Sequence, residues 1–190
     1  MTKVIWCTTL LLLLGVAAVS AQNNTLTVVA HDSFAYTEEI LAQFQEETGI
    51  TVEVLRLGDA GTMLNQLILS KSNPLGDVVF GVDNTFLSRA LNEDLFIAYE
   101  SPALQSVDEA FIVDPDHNVT PVDYGDVCLN YDIAYFEDNG LALPESLADL
   151  TKPEYSGLLV VENPATSSPG LAFLMATVAA FGAEGDYTYL

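Results

Sequence analysis

Residues 26–57 read LTVVAHDSFAYTEEILAQFQEETGITVEVLRL, and the fold is decided in this stretch. Residues 26–30 are a short apolar run with β-branched members, the pattern of a buried strand. Thr37 stands where a helix cap belongs, Ile40, Leu41 and Phe44 then share one helical face, and Gly49 closes the helix. Residues 50–57 alternate, with Ile50, Val52 and Val54 on one side, and read as a second strand. Working outward, residues 62–71 form a helix that Thr62 can cap and that turns Met63, Leu64, Leu67 and Ile68 inward. Residues 77–82 (DVVFGV) are a third strand, after which Asp83 or Asn84 caps a helix carrying Phe86, Leu87 and Leu91.

Strand–helix–strand–helix–strand order predicts an α/β domain with a largely parallel sheet, because each crossover helix returns the chain to the same edge. Ligands of such sheets bind outside the carboxyl ends of the strands. Three short polar loops lie there: 31–34, 58–61 and 82–84.

Further on, residues 100–120 are irregular and rich in Pro and Asp, and PVDYGDVCLNY (121–131) is a long extended run. Pro144 opens a short helix through Leu150, residues 158–161 read as a strand, NPATSSPG (163–170) is a loop, and residues 171–181 are an apolar helix. Past Phe181 the chain reaches Leu190 without a strand to receive it. A second α/β unit has begun without most of its sheet, so the sequence reads as incomplete.

At the other end, Lys3, an apolar run over 4–19 and the small-residue site Val19-Ser20-Ala21 read as an export signal cleaved after Ala21. The run is at the short end for a bilayer core of about 30 Å. Cys7 leaves with it, so Cys128 is the remaining cysteine and the hydrophobic core must hold the fold. Cys128 lies in an apolar stretch and reads as a packed small hydrophobe. The formal charge of the whole sequence is −22, from 27 acids and 5 bases, and without Lys3 the bases are Lys71, Lys152, Arg56 and Arg89. Such a field repels nucleic acid and anionic lipid and attracts cations. With half the residues hydrophobic, the acids coat a globular protein and do not signal disorder.

Catalytic readings are weak. His31, Asp32 and Ser33 have the residue types of a hydrolase triad, but neighbours in sequence cannot reach relay geometry, and no G-x-S-x-G elbow is present. The two histidines have no partner at metal-ligand spacing, and DPDHN (114–118) reads as a solvated turn that lacks the spacing of a calcium loop. No cofactor, metal or catalytic residue is therefore expected. Thr166, Ser167 and Ser168 precede Pro169 at a helix start, where hydroxyls and free amides can hold an anion or polar oxygen, or can serve as ordinary caps. Asp32, Asp59 and Asp83 bring carboxylates to the strand ends; Asp83 can be a plain cap, whereas Asp59 competes with Thr62 and is freer to meet a cation.

The segments HDSF (31–34), GDAGTMLNQL (58–67), DVVFGVDN (77–84), PVDYGDVCLNYD (121–132), LPESLADL (143–150) and YSGLLVVENPATSSPGLAFL (155–174) resemble periplasmic thiamine-binding proteins. These belong to the wider family of two-domain ABC solute-binding proteins. The resemblance runs over essentially the whole chain after the signal. It implies a two-lobed, type II periplasmic-binding-protein-like α/β fold: a first lobe over 22–120, a crossing or hinge over 121–132, and a partial second lobe over 133–190. It also implies a monomer with ligand contacts at His31, Ser33, Asp59, Asp83, Asp123 or Tyr124, and Thr166, Ser167, Ser168 and Gly170. The family usually has Tyr where His31 stands. Thiamine or a thiamine phosphate is the implied ligand, an ABC permease the implied partner, and the periplasm the implied location. Thiamine is a permanent cation bearing an aminopyrimidine, which suits carboxylates and aromatic faces. The rivals are the same fold with a polyamine, ferric iron or another anion, a solute-sensing subunit for a receptor, and an exported enzyme on this fold.

Overall fold

The computed structural model describes residues 24–182; the expected signal segment 1–21 and residues 183–190 lie outside them. The first strand, β1 (Thr25–Ala30), is the middle of a three-stranded parallel sheet, between β2 (Thr51–Arg56) and β3 (Val78–Phe80). Ala30 is the last residue of β1 and faces Arg56 on one edge and Phe80 on the other. Asp77 extends the β3 edge: its amide donates to the Thr27 carbonyl and its carboxylate accepts the Thr27 amide, both at 2.9 Å. The α/β class and the parallel sheet are those the sequence predicts.

Crossovers α1 (Glu38–Thr48) and α2 (Ala60–Leu69) join the strands, and α3 (Leu87–Asn92) follows β3. The core is built by α2 on the sheet. Met63 and Leu67 pack with Val29, while Leu64 packs with Phe86 and Ala90 from the α3 region. Val29, Met63 and Leu64 are fully buried, and each contributes about 1.5–3 kcal/mol of apolar transfer. Helix α1 forms where expected, but its apolar face is not drawn in: Ile40 stays 59 % exposed, and the helix lies chiefly along β2.

Several boundaries move. Helix α2 begins at Ala60, so Asp59, not Thr62, stands at its N-cap. The helix expected from Pro144 is a tight 3₁₀ turn over Leu147–Thr151, because Ser146 and Asp149 cap it reciprocally. Bonds from the Lys152 ammonium and Ser146, together with the Glu145 amide, hold the Asp149 carboxyl down at about 2. The helix predicted over 171–181 starts earlier, as α5 (Ser168–Phe181), preceded by the single turn α4 (Ile133–Asp138).

The runs 121–131 and 158–161 pair with no strand, and residue 158 lies in a turn, so neither run is a strand among the described residues. A strand needs a neighbour to take its amides and carbonyls, and the sheet of β1, β2 and β3 does not reach them. Their apolar residues consequently face outward, Val160 at 91 % exposure. Cys128 shares this fate. It is a free, exposed thiol, and not the packed hydrophobe its neighbours in sequence imply.

The DPDHN turn is also less solvated than its composition implies. Asp114 is only 4 % exposed, and its carboxylate accepts the amides of Asp116 (3.2 Å), Asn118 (2.6 Å) and Val119 (3.2 Å). Burial pushes its pKa upward, but the three amide bonds outweigh that and leave it below the ordinary carboxylate value. A depressed folded-state pKa contributes stability that is present above the unfolded value near 3.9 and is lost as pH falls through the folded one. Asp114→Ala should therefore cost about 1–3 kcal/mol at neutral pH by orphaning these amides. In urea unfolding, the gap to wild type should narrow as the pH is lowered below about 4.

Candidate functional site

Parallel register delivers the three strand ends to one edge, and the loops that leave them are tied together. Loop 31–36 is joined to the loop after β2 by a two-way link: the Asp32 amide donates to the Gly58 carbonyl (2.9 Å), and the Gly58 amide donates to the Asp32 carboxylate (3.0 Å). Arg56, the last residue of β2, adds a fork. Its guanidinium donates to the carbonyls of Asp32 (3.0 Å) and Phe34 (2.6 Å) and lies 5.4 Å over the Tyr36 ring. The Asp32 carboxylate is thereby committed to structure and is not free to serve a hydrolase relay.

On the other edge, His31 reaches the loop after β3. Its ring stacks on Phe80 at 5.9 Å, and Phe80 meets Phe34 at 4.4 Å. A Cβ at Gly81 would overlap the His31 ring, and Gly81 has φ 106°, so only glycine is accommodated there. His31, Phe80, Phe34 and Tyr36 thus form a continuous aromatic run at the sheet's carboxyl edge.

The fourth loop comes from far along the chain. The Gly61 amide donates to the Thr166 carbonyl at 2.9 Å, which seats residues 165–166 on the first turn of α2. Past this junction Ser167, 5 % exposed, caps α5: its hydroxyl accepts the Gly170 amide at 3.2 Å and donates to the Glu162 carboxylate. The Ser168 hydroxyl is buried without a partner. A shallow cavity of about 250 Å³ opens beside this cap, lined by Val161, Glu162, Asn163, Pro164, Gly170 and Leu174.

The structure therefore gathers His31, Ser33, Asp59, Asp83 and Thr166–Gly170 on connected loops. They are not equivalent. Ser33 is exposed on its loop. Asp59 occupies the N-cap position of α2, yet its exposed carboxylate makes no capping bond. Asp83 is occupied, accepting the Thr85 amide (2.9 Å) and hydroxyl (2.6 Å). Asp123 and Tyr124 are exposed elsewhere, with Tyr124 stacked on Phe111 at 4.7 Å. Among the described residues no group of His, Cys, Asp or Glu is arranged to hold a metal ion. An exposed carboxylate and an aromatic run carried on connected loops are groups that suit a flat cation.

Sequence reading missed Arg56, Phe80, Gly61 and Glu162. Arg56 and Phe80 could be found only through the register, since both face Ala30. Gly61 matters through a contact with Thr166 across about a hundred residues of chain, which no local pattern carries, and Glu162 through a bond from Ser167, five residues on.

A family model described as bacterial extracellular solute-binding protein matches residues 73–189. The chain is 31 % identical over 169 residues to the thiamine-binding periplasmic protein of Escherichia coli (strain K12), covering 87 % of this chain and 50 % of that one. Among solved structures, a periplasmic thiamin binding protein superposes with a TM-score of 0.64 at 24 % identity, over 84 % of this chain and 50 % of that one. The periplasmic binding protein P5PA superposes with a TM-score of 0.67 at 19 % identity, over 84 % and 52 %. The chain spans about half the length of the curated relatives it matches.

The Gly61 junction can be tested by itself. A Cβ there would lie 2.7 Å from the Ala165 carbonyl oxygen, 2.8 Å from Phe86 Cζ and 2.9 Å from Thr166 Cα. Gly61→Ala should destabilise by about 1–3 kcal/mol, the range of overpacked cores, read as a lowered urea midpoint with an unchanged slope.

Proposed function

Because the chain belongs to the bacterial extracellular solute-binding protein family, we propose that it serves as the solute-capturing subunit of an ABC importer and that its solute is thiamine or a thiamine phosphate. In this reading the protein is exported, with cleavage after Ala21, acts as a periplasmic monomer, and hands its ligand to a membrane permease. Residues 22–120 form the first lobe, 121–132 cross to the second, and 133–190 begin that second lobe. It performs no chemistry: closure of the lobes on the ligand is the functional step.

One observation carries the choice of solute. The connected loops at the sheet's carboxyl edge present an exposed, uncommitted carboxylate, Asp59, together with the His31–Phe80–Phe34 aromatic run. A thiazolium can lie against an aromatic face, and an aminopyrimidine can donate to a carboxylate. The likeness to thiamine-binding periplasmic proteins over some nine-tenths of the chain supports the same solute. His31, Ser33 and Asp59 are the first-lobe contacts in this reading, Asp123 and Tyr124 those of the crossing, and Thr166–Gly170 those of the second lobe; Asp83 shapes its loop.

Calorimetry on the full-length protein should register thiamine binding well below ~100 μM; no binding in that range overturns the assignment. Asp59→Asn keeps a good N-cap residue and removes the charge. It should lower thiamine affinity at least ~10-fold, about 1.4 kcal/mol, with an unchanged melting temperature. Retained affinity would make Asp59 structural.

A further inference from the structure

Most of the donors that a phosphate group would need in this loop are already taken by the protein's own groups, the buried Ser168 hydroxyl excepted. An anion at a helix start is held by free amides and hydroxyls. Here the Ala165 amide donates to the Asn163 side-chain oxygen (2.9 Å), and the Thr166 and Ser167 amides donate to the Asn163 carbonyl (3.1 and 2.9 Å). The Gly170 amide donates to the Ser167 hydroxyl, Leu171 to the Ser167 carbonyl, and Pro169 has no amide hydrogen. The Ser167 hydroxyl in turn donates to Glu162, so a carboxylate already sits on the start of α5. Its exposed side lines the cavity beside the cap.

We infer that Glu162 is a specificity-determining residue that disfavours phosphorylated ligands, so that the site takes the unphosphorylated cation. This rests on the solute assignment above. A phosphate ester arriving at Thr166–Gly170 would meet a fixed negative charge where it needs donors. Like charges brought together at a binding site disfavour the wrong ligand. An unesterified hydroxyethyl group carries no charge into that place. Rejection therefore comes from one residue and not only from the overall field of −22.

Glu162→Gln keeps an acceptor for Ser167 and removes the charge. Calorimetry on full-length wild type should find thiamine bound at least ~10-fold more tightly than thiamine monophosphate. The Gln variant should shrink that ratio at least ~5-fold by gaining affinity for the ester, with thiamine itself unchanged. Equal affinities in wild type, or a ratio unmoved by the substitution, overturn the inference while leaving the solute assignment standing. A second arm needs no thiamine at all. Titration with inorganic phosphate and pyrophosphate, followed by NMR on the Ser168 and Gly170 amides, should shift those signals in the Gln variant and not in wild type. The same response in both proteins, silence included, overturns the role of Glu162. Absence of thiamine binding alone would instead remove the solute assignment.

Discussion

β1 is hydrogen-bonded along both edges, and its last residue, Ala30, is level with Arg56 on one side and Phe80 on the other. The rest of the molecule depends on that parallel register. It makes three loops emerge at one height, so Asp32 can exchange bonds with Gly58 and His31 can lie against Gly81. It also puts Arg56 within reach of two carbonyls in the loop that follows β1. A slip of one residue would turn every side chain of the strand to the other face. Val29, fully buried beneath α2, would then be exposed and the core would be lost with the site.

The second dependence is the junction at Gly61. The start of α2 is where the first unit touches the loop leading into α5, and the contact is backbone against backbone. No side chain fits between them. The same loop carries the cap of α5, its internal bonds to Asn163 and the Glu162–Ser167 pair, and Leu171 of α5 packs on the Leu64, Phe86 and Ala90 cluster nearby. Two loops with about a hundred residues between them are thus placed with the accuracy of a hydrogen bond, which flexible side chains alone would not provide.

The sequence made the frame legible and the finer states of the site illegible, for a physical reason in each case. β1, α1, β2 and α2 announce themselves because periods of 2 and 3.6 write burial into the order of residues. Residues 121–131 and 158–161 carry the same local signature. Whether an extended run becomes a strand is decided by a neighbour, and that is not written locally. Cys128 sits in one of these runs and is exposed for the same reason. Among the site residues, the loops at the strand ends could be named in advance from topology. The commitments of their groups could not. Asp83 spends its carboxylate on Thr85, while Asp59 stands at a cap without capping. Asn163, silent as a sequence feature, accepts the amides that make 163–170 look like an anion cradle.

The frame is held together largely by backbone bonds, and backbone bonds do not depend on which side chains a strand carries. Ser33 and Asp59 ride on that frame, exposed, and contribute little to closing it. Drift at those positions can therefore be tolerated without loss of folding, so selection can act on ligand choice almost independently of architecture. A solved structure that shares only 19 % of its residues with this chain superposes with a TM-score of 0.67, so the same frame is built from largely different side chains. The ladder sets the architecture, and the loops at its end are where side chains can change without moving it.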